Sequence, residues 1–208
     1  MRKTIVVALL CLAATAFAAE KTTNQPKAII RTSMGDIHCT LFPDKAPIGV
    51  QNFIGLAKGT KDWTHPASKA KKQGVPLYDG TIFHRVIPEF MIQGGDPMGT
   101  GTGNPGYRFQ NETSKDLKFD RPGRLAYANA GPDTNGSQFF ITEVPYPSLN
   151  GGYTIFGQCE DRSLVQRIAR VPRDSNDKPR LPVTINKIEI IEPGTAPAAD
   201  STAKTPNK

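Results

Sequence analysis

The stretch Thr81–Asp96, TIFHRVIPEFMIQGGD, sets one arginine and one glutamine into a run that is otherwise mostly aromatic and aliphatic. Such a run is expected to be buried or to line a cleft. Ile82, Phe83, Val86 and Ile87 read as an apolar strand, Pro88 breaks it, Phe90, Met91 and Ile92 resume it, and Gly94 and Gly95 supply a turn. That order puts Arg85, Phe90, Met91 and Gln93 within reach of one surface. A guanidinium with five fixed donors, an amide and two soft apolar side chains suit a carbonyl flanked by a hydrophobic ring. Arg85 also admits a plainer reading, an ion pair with a nearby Asp or Glu, because charged residues in apolar runs are usually paired.

Downstream lies a glycine-dense loop, MGTGTGNPGYRFQNE, in which Gly101, Gly103 and Gly106 match the spacing of a dinucleotide-binding turn. That motif needs an apolar strand before it and a helix opening at its end. Here Pro105 interrupts it, Asp96-Pro97 precedes it and an unhelical segment follows, which argues against nucleotide chemistry. After a polar connection (111–121) comes GRLAYANAGPDTNGSQFFIT, with short strands expected at 125–128 and 138–142 and turn residues between them. Ala128-Asn129-Ala130 is small around one amide, so an extended peptide could approach closely and bond to the Asn129 backbone and side chain; a plain tight connection fits the spacing equally well. Gly136-Ser137-Gln138 lacks the frame of a nucleophile elbow.

Upstream, residues 28–32 and 37–42 read as two strands turned at Met34-Gly35-Asp36. Val50, Phe53, Ile54 and Ala57 recur at helical spacing behind Pro47 and ahead of Gly59, so residues 47–58 form an amphipathic helix. Residues 60–77 are polar, lack periodicity and are expected to be a long surface loop. Beyond 142, YTIFGQC is a strand, Asp161 or Ser163 caps a helix carrying Leu164, Val165 and Ile168, and VTINKIEII is a half-buried final strand. About eight strands and two helices favour an all-β dominated fold, an antiparallel, closed or nearly closed barrel capped by the helices.

With 38% hydrophobic residues among 208, the chain can bury one core. Residues 1–18 carry an export signal: Arg2 and Lys3, an apolar core from Ile5 to Ala14, and Ala16-Phe17-Ala18 as a cleavage site. Its core is too short to span a bilayer comfortably. A flexible leader (19–26), one domain (27–192) and a disordered tail (193–208) follow. Cleavage removes two of the 26 basic residues and none of the 19 acidic ones, so the net charge falls from +7 to +5. The bases are dispersed, without the charged stripe and aromatic platforms of a nucleic-acid binder. His38, His65 and His84 have no ligand spacing, so no metal is expected. Cys39 and Cys159 would remain after cleavage. An oxidising compartment would allow a disulfide, but both lie in apolar strand-like segments, which favours buried free thiols. No long amphipathic seam is left over, so a monomer is expected.

FHRVIPEFMIQGGDP, the glycine-rich loop, RLAYANAGPDTNGSQFFIT and LNGGYTIFG together resemble the cyclophilin family of peptidyl-prolyl cis-trans isomerases, from about Ala28 to Glu192. The resemblance implies an eight-stranded antiparallel barrel with two capping helices. It makes Arg85 the catalytic arginine and gives Phe90, Met91 and Phe140 the pocket for the proline ring, with Leu149 on its rim. It assigns Gln93 and Asn129 to the substrate backbone, beside Ala128 and Ala130. Ser148 stands where many members carry tryptophan, and Tyr153 where they carry histidine. Loss of the tryptophan implies weak cyclosporin binding. The segment 60–77 is longer than in compact members.

The implied activity needs no cofactor and no covalent intermediate. It would assist the folding of exported or unfolded proteins, in a periplasm or outside the cell. Two rivals belong to other classes: a chaperone that holds proline-containing segments without turning them over, and a nucleotide-binding oxidoreductase.

Overall fold

In the computed structural model, which describes residues 25–194, the domain opens with β1 (Lys27–Thr32) and β2 (Gly35–Leu41). The export signal, most of the leader and the tail beyond 194 lie outside the described residues. The strands pair antiparallel, with Ala28 opposite Cys39 and Ile30 opposite Ile37, and these four residues enter the core.

Helix α1 (Pro47–Lys58) begins on a proline, whose missing N–H costs nothing at that position. It ends at Gly59 in the left-handed conformation (φ 72°), where a Cβ would stand 2.8 Å from the Pro76 nitrogen. Its first free N–H groups are capped from afar, since the Glu112 carboxylate accepts from Ile48 and Gly49 at 3.0 and 2.8 Å. Phe53 projects from the buried face of α1 to meet Tyr78, Phe139 and Phe156 at ring distances of 5.2, 5.7 and 5.1 Å.

Residues 60–77 are more ordered than expected. They form a two-stranded hairpin, β3 (Trp63–Thr64) with β4 (Lys71–Lys72). Trp63 is buried and its indole N–H donates to the Val75 carbonyl at 2.9 Å, while Leu77 N–H bonds Leu56 O. Strands of two residues leave no periodicity to read, and a single buried tryptophan anchors the segment instead.

The remaining strands are β5 (Arg85–Ile87), β6 (Met91–Gly94), β7 (Arg124–Tyr127), β8 (Phe139–Thr142), β9 (Ile155–Cys159) and β10 (Ile185–Ile191), with α2 (Arg162–Ala169) between the last two. Eight strands form one antiparallel sheet in the order β10-β1-β2-β9-β7-β8-β6-β5. Its ends approach where Ile82 bridges Thr184, and Gly80 and Phe83 donate to the carbonyls of Ile185 and Val183. The barrel, expected to be closed or nearly closed, is a half-barrel sheet whose ends meet across a short seam rather than by a full ladder.

Asp161 sits at the start of α2 without capping it; its carboxylate accepts instead from the His38 backbone N–H at 2.6 Å. Approaching and entering β10 the inward residues change phase, Val183, just before the strand, and Ile185 being followed by Ile188. A bulge explains this: Arg31 faces Lys187 but Thr32 faces Ile185, so Asn186 is unmatched and the pleat shifts by one.

The free-thiol expectation is overturned. Cys39 and Cys159 stand directly opposite on the β2–β9 ladder, with Cα atoms 3.9 Å apart, and are joined by a disulfide. Apolar surroundings hide the pairing because register, not local composition, brings these residues together across a separation of 120. Closing a span of that size restricts the unfolded chain by about 4–5 kcal/mol in chain-entropy terms. Thermal unfolding with and without reductant is expected to differ by about 10 °C or more; coincident melting curves would refute this contribution.

Candidate active site

One rung of the sheet builds the site. Arg85 lies opposite Gln93, Gln93 opposite Phe140, Phe140 opposite Ala126, and Ala126 opposite Ile155. Residues facing each other across antiparallel strands project to the same side. Their neighbours Val86, Ile92, Ile141 and Leu125 enter the main core. The rung therefore stands on the opposite face, where Met91, Ala126, Phe140 and Ile155 form a second apolar cluster with Phe119.

A cavity of about 180 Å³ opens on that cluster, lined by Arg85, Phe90, Met91, Gln93, Ala128, Asn129, Phe140, Leu149 and Tyr153. Nine of the ten residues singled out in the sequence thus meet in one place. The tenth, Ala130, lines an adjoining cavity of about 240 Å³ that shares Gln93, Ala128 and Asn129 and carries Arg108 on its wall. Phe140 is wedged between Tyr153, edge-on at 5.5 Å, and Phe119, stacked at 5.8 Å. Phe119 is fully buried beneath the site. It lies in the stretch that reads as a polar connection, where only the alternation Leu117-Lys118-Phe119 signals a buried ring.

Arg85 has both of the surroundings expected of it. It lines the cavity, and its Nε is 4.0 Å from Asp177 Oδ2, a carboxylate that Arg173 already engages at 3.0 Å. With side chains 45% and 32% exposed, such a pair contributes little energy. Asp177 also fixes the strand, since its carbonyl accepts from Val86 N–H at 2.8 Å.

Gln93 donates to Gln138 Oε1 at 2.9 Å, and Gln138 in turn donates to the carbonyls of Gly101 and Gly103. The glycine-rich loop is thereby tied to the site, and its own N–H groups serve a carboxylate rather than a phosphate. Fully buried Asp96 accepts from Met98, Thr100, Gly101 and Gly103 at 2.6 to 3.1 Å. A Cβ on Gly103 would come within 1.8 Å of that carboxylate. No helix follows the loop: Phe109 bridges Asn135 instead, which removes the structural context of a dinucleotide turn.

The Asn129 side chain is committed within the fold, donating to Gly152 O at 3.0 Å and accepting from Gly131 N–H at 3.3 Å. It braces the turn that carries Tyr153, and only the Asn129 backbone makes no hydrogen bond to another described residue. His84 is buried with neither ring nitrogen bonded, and burial lowers its pKa. Among the described residues no three His, Cys, Asp or Glu side chains are grouped to hold a metal ion.

A one-sided sheet groove with an arginine beside an aromatic cavity, on this half-barrel, defines a class. Residues 27–190 match the family described as cyclophilin type peptidyl-prolyl cis-trans isomerase/CLD, and the chain belongs to it. It is 49% identical over 178 residues to the peptidyl-prolyl cis-trans isomerase A of Mycobacterium tuberculosis, covering 82% of this chain and 97% of that one. It is 47% identical over 171 residues to the peptidyl-prolyl cis-trans isomerase B of Streptomyces anulatus, covering 80% and 97%. The crystal structure of a Cryptosporidium parvum cyclophilin superposes with a TM-score of 0.70 at 38% identity, covering 81% of this chain and 98% of that one; a second, with 0.69 at 38% and covering 80% and 99%, is described as in the presence of the dipeptide Ala-Pro. The chain is accordingly a peptidyl-prolyl cis-trans isomerase.

Burial pushes the Asp96 carboxyl up, but the four N–H donors outweigh it and hold its pKa below the usual carboxylate range. A folded-state pKa below the unfolded one gives stability that is present above about pH 4 and lost as pH falls further. Asp96→Asn is expected to be less stable at pH 7 and to lose less additional stability between about pH 4 and pH 2 than the wild type. Chemical denaturation across that range checks this, and parallel pH profiles would rule it out.

Proposed function

We propose that the chain turns over X-Pro bonds in exported or unfolded polypeptides, with Arg85 as the group that favours the twisted amide. The observation that carries this reading is the single cavity in which Arg85 meets Phe90, Met91 and Phe140. Amide resonance sets a barrier of about 20 kcal/mol to rotation of an X-Pro bond. In the twisted state the prolyl nitrogen becomes pyramidal and gains a lone pair, so a guanidinium donor bonds an atom that the planar ground state does not offer. The apolar wall of Phe90, Met91, Phe140 and Leu149 seats the ring, while the Asn129 backbone and Gln93 hold the peptide. An acceleration of about ten-thousandfold requires about 5.5 kcal/mol of such differential binding. One charge-assisted hydrogen bond together with ring anchoring accounts for a term of that size. No cofactor or bond-breaking step enters.

The site of action we assign is outside the reducing cytosol, in a periplasm or beyond it. The signal-like residues 1–18 and the buried Cys39–Cys159 disulfide support this, since structural disulfides belong to oxidising compartments. The enzyme acts as a monomer on proline-containing segments.

Ser148 is exposed on the short turn Pro147–Leu149 at the cavity rim, where it supplies neither an indole donor nor an apolar wall. Cyclosporin is therefore a weak ligand. Ser148→Trp is expected to tighten inhibition by on the order of tenfold, the scale of one well-placed aromatic group; an unchanged inhibition curve would refute this.

The deciding experiment is the cis-to-trans rate of a short proline peptide. Arg85→Ala is expected to lower turnover by about a hundredfold or more with the melting temperature unchanged, and Arg85→Lys to restore little, because a point charge lacks the fixed fork. Near-normal turnover in folded Arg85→Ala would sink the assignment.

A further inference from the structure

We propose that Glu143, clamped by Arg170, is the positioning residue that holds the Pro88–Phe90 turn and thereby seats Phe90 and Met91 in the cavity. This rests on the reading of that cavity as the proline site. Arg85, Gln93 and Phe140 are held by the ladder, but Phe90 lies outside every strand and depends on the turn for its place.

The turn is intrinsically unfavourable. Glu89 adopts φ 59°, the left-handed conformation that side-chain-bearing residues avoid. Phe90 N–H closes the turn onto Ile87 O at 3.2 Å. Glu143 then grips it from two sides. One step past the last ladder pair, Met91 with Thr142, its backbone N–H donates to Phe90 O at 2.9 Å, and its Oε2 accepts from Glu89 N–H at 2.8 Å.

The Glu143 side chain is 4% exposed, so its carboxylate has little access to water and must find its partners within the protein. Arg170, at the end of α2, supplies the partner through Nη1 on Oε1, and the same Nη1 donates to Gln166 O at 3.3 Å. The end of α2 is thus linked through one side chain to the turn that carries Phe90. On that turn Phe90 packs against Tyr146 at a ring distance of 4.4 Å, and the following Met91 is 2% exposed on the cavity floor.

Loss of the grip releases the ring pocket and leaves Arg85 on its strand. Binding should suffer and turnover should not. The test compares wild type, Glu143→Ala and Glu143→Gln for kcat and KM on a short X-Pro peptide, and for hydrogen exchange of the Glu89 amide without substrate. Glu143→Ala is expected to raise KM about tenfold, to change kcat less than about twofold and to lose Glu89 protection. Glu143→Gln keeps an acceptor for Glu89, so protection and KM return to within about twofold of wild type although the melting temperature falls.

An alanine variant that loses Glu89 protection with KM unchanged overturns the proposal, as does one whose kcat falls with KM constant. If the alanine variant does not fold, the glutamine variant decides: a KM raised about tenfold with Glu89 still protected overturns it. An inactive wild type would fault the isomerase reading instead, since the exchange measurement needs no substrate.

Discussion

The candidate site depends on a sheet that packs side chains on both of its faces, the main core on one and a second apolar cluster beside Arg85 and Gln93 on the other. The two-residue pleat sends Val86, Ile92, Ile141 and Leu125 inward and Arg85, Gln93, Phe140 and Ala126 outward from the same four strands. A slip of one residue in any of these pairs would exchange the two sets. The inner set is held by the aromatic cluster around Phe53, so register is specified from inside while the site is displayed outside. Stability and function share one backbone geometry here but use alternate residues of it.

The glycine-rich loop illustrates how a chain can be shaped around a single buried charge. Asp96 replaces its lost hydration with four backbone N–H groups, and the loop can wrap so tightly only because position 103 has no side chain. Gln138 then carries that rigidity across to Gln93. The same spacing of glycines that elsewhere cradles a pyrophosphate is here occupied from within, by the protein's own carboxylate.

Closure of the fold relies on long-range devices. Glu112 caps a helix some sixty positions earlier in the chain, the disulfide joins β2 to β9, and the seam at Ile82–Thr184 brings the ends of the sheet together. Each closes a large loop, whose entropic cost grows only slowly with length. Distance along the chain therefore placed little limit on which residues could be recruited.

The sequence by itself determined what is local and periodic. Helix α1 lies where Pro47, the apolar spacing and Gly59 predict it, and the apolar runs broken at Pro88 and ended at Gly94 and Gly95 mark out β5 and β6 with Arg85 and Gln93 set into them. The resemblance names the nine residues that meet in the cavity. Only the tertiary structure decided what depends on register and on partners far away. It paired Cys39 with Cys159, buried Phe119 under the site, moved Ala130 to the adjoining cavity, committed the Asn129 side chain to Gly152, and anchored residues 60–77 through Trp63. Local propensity is written in neighbouring residues, whereas these contacts join segments whose proximity exists only once the sheet has set its register.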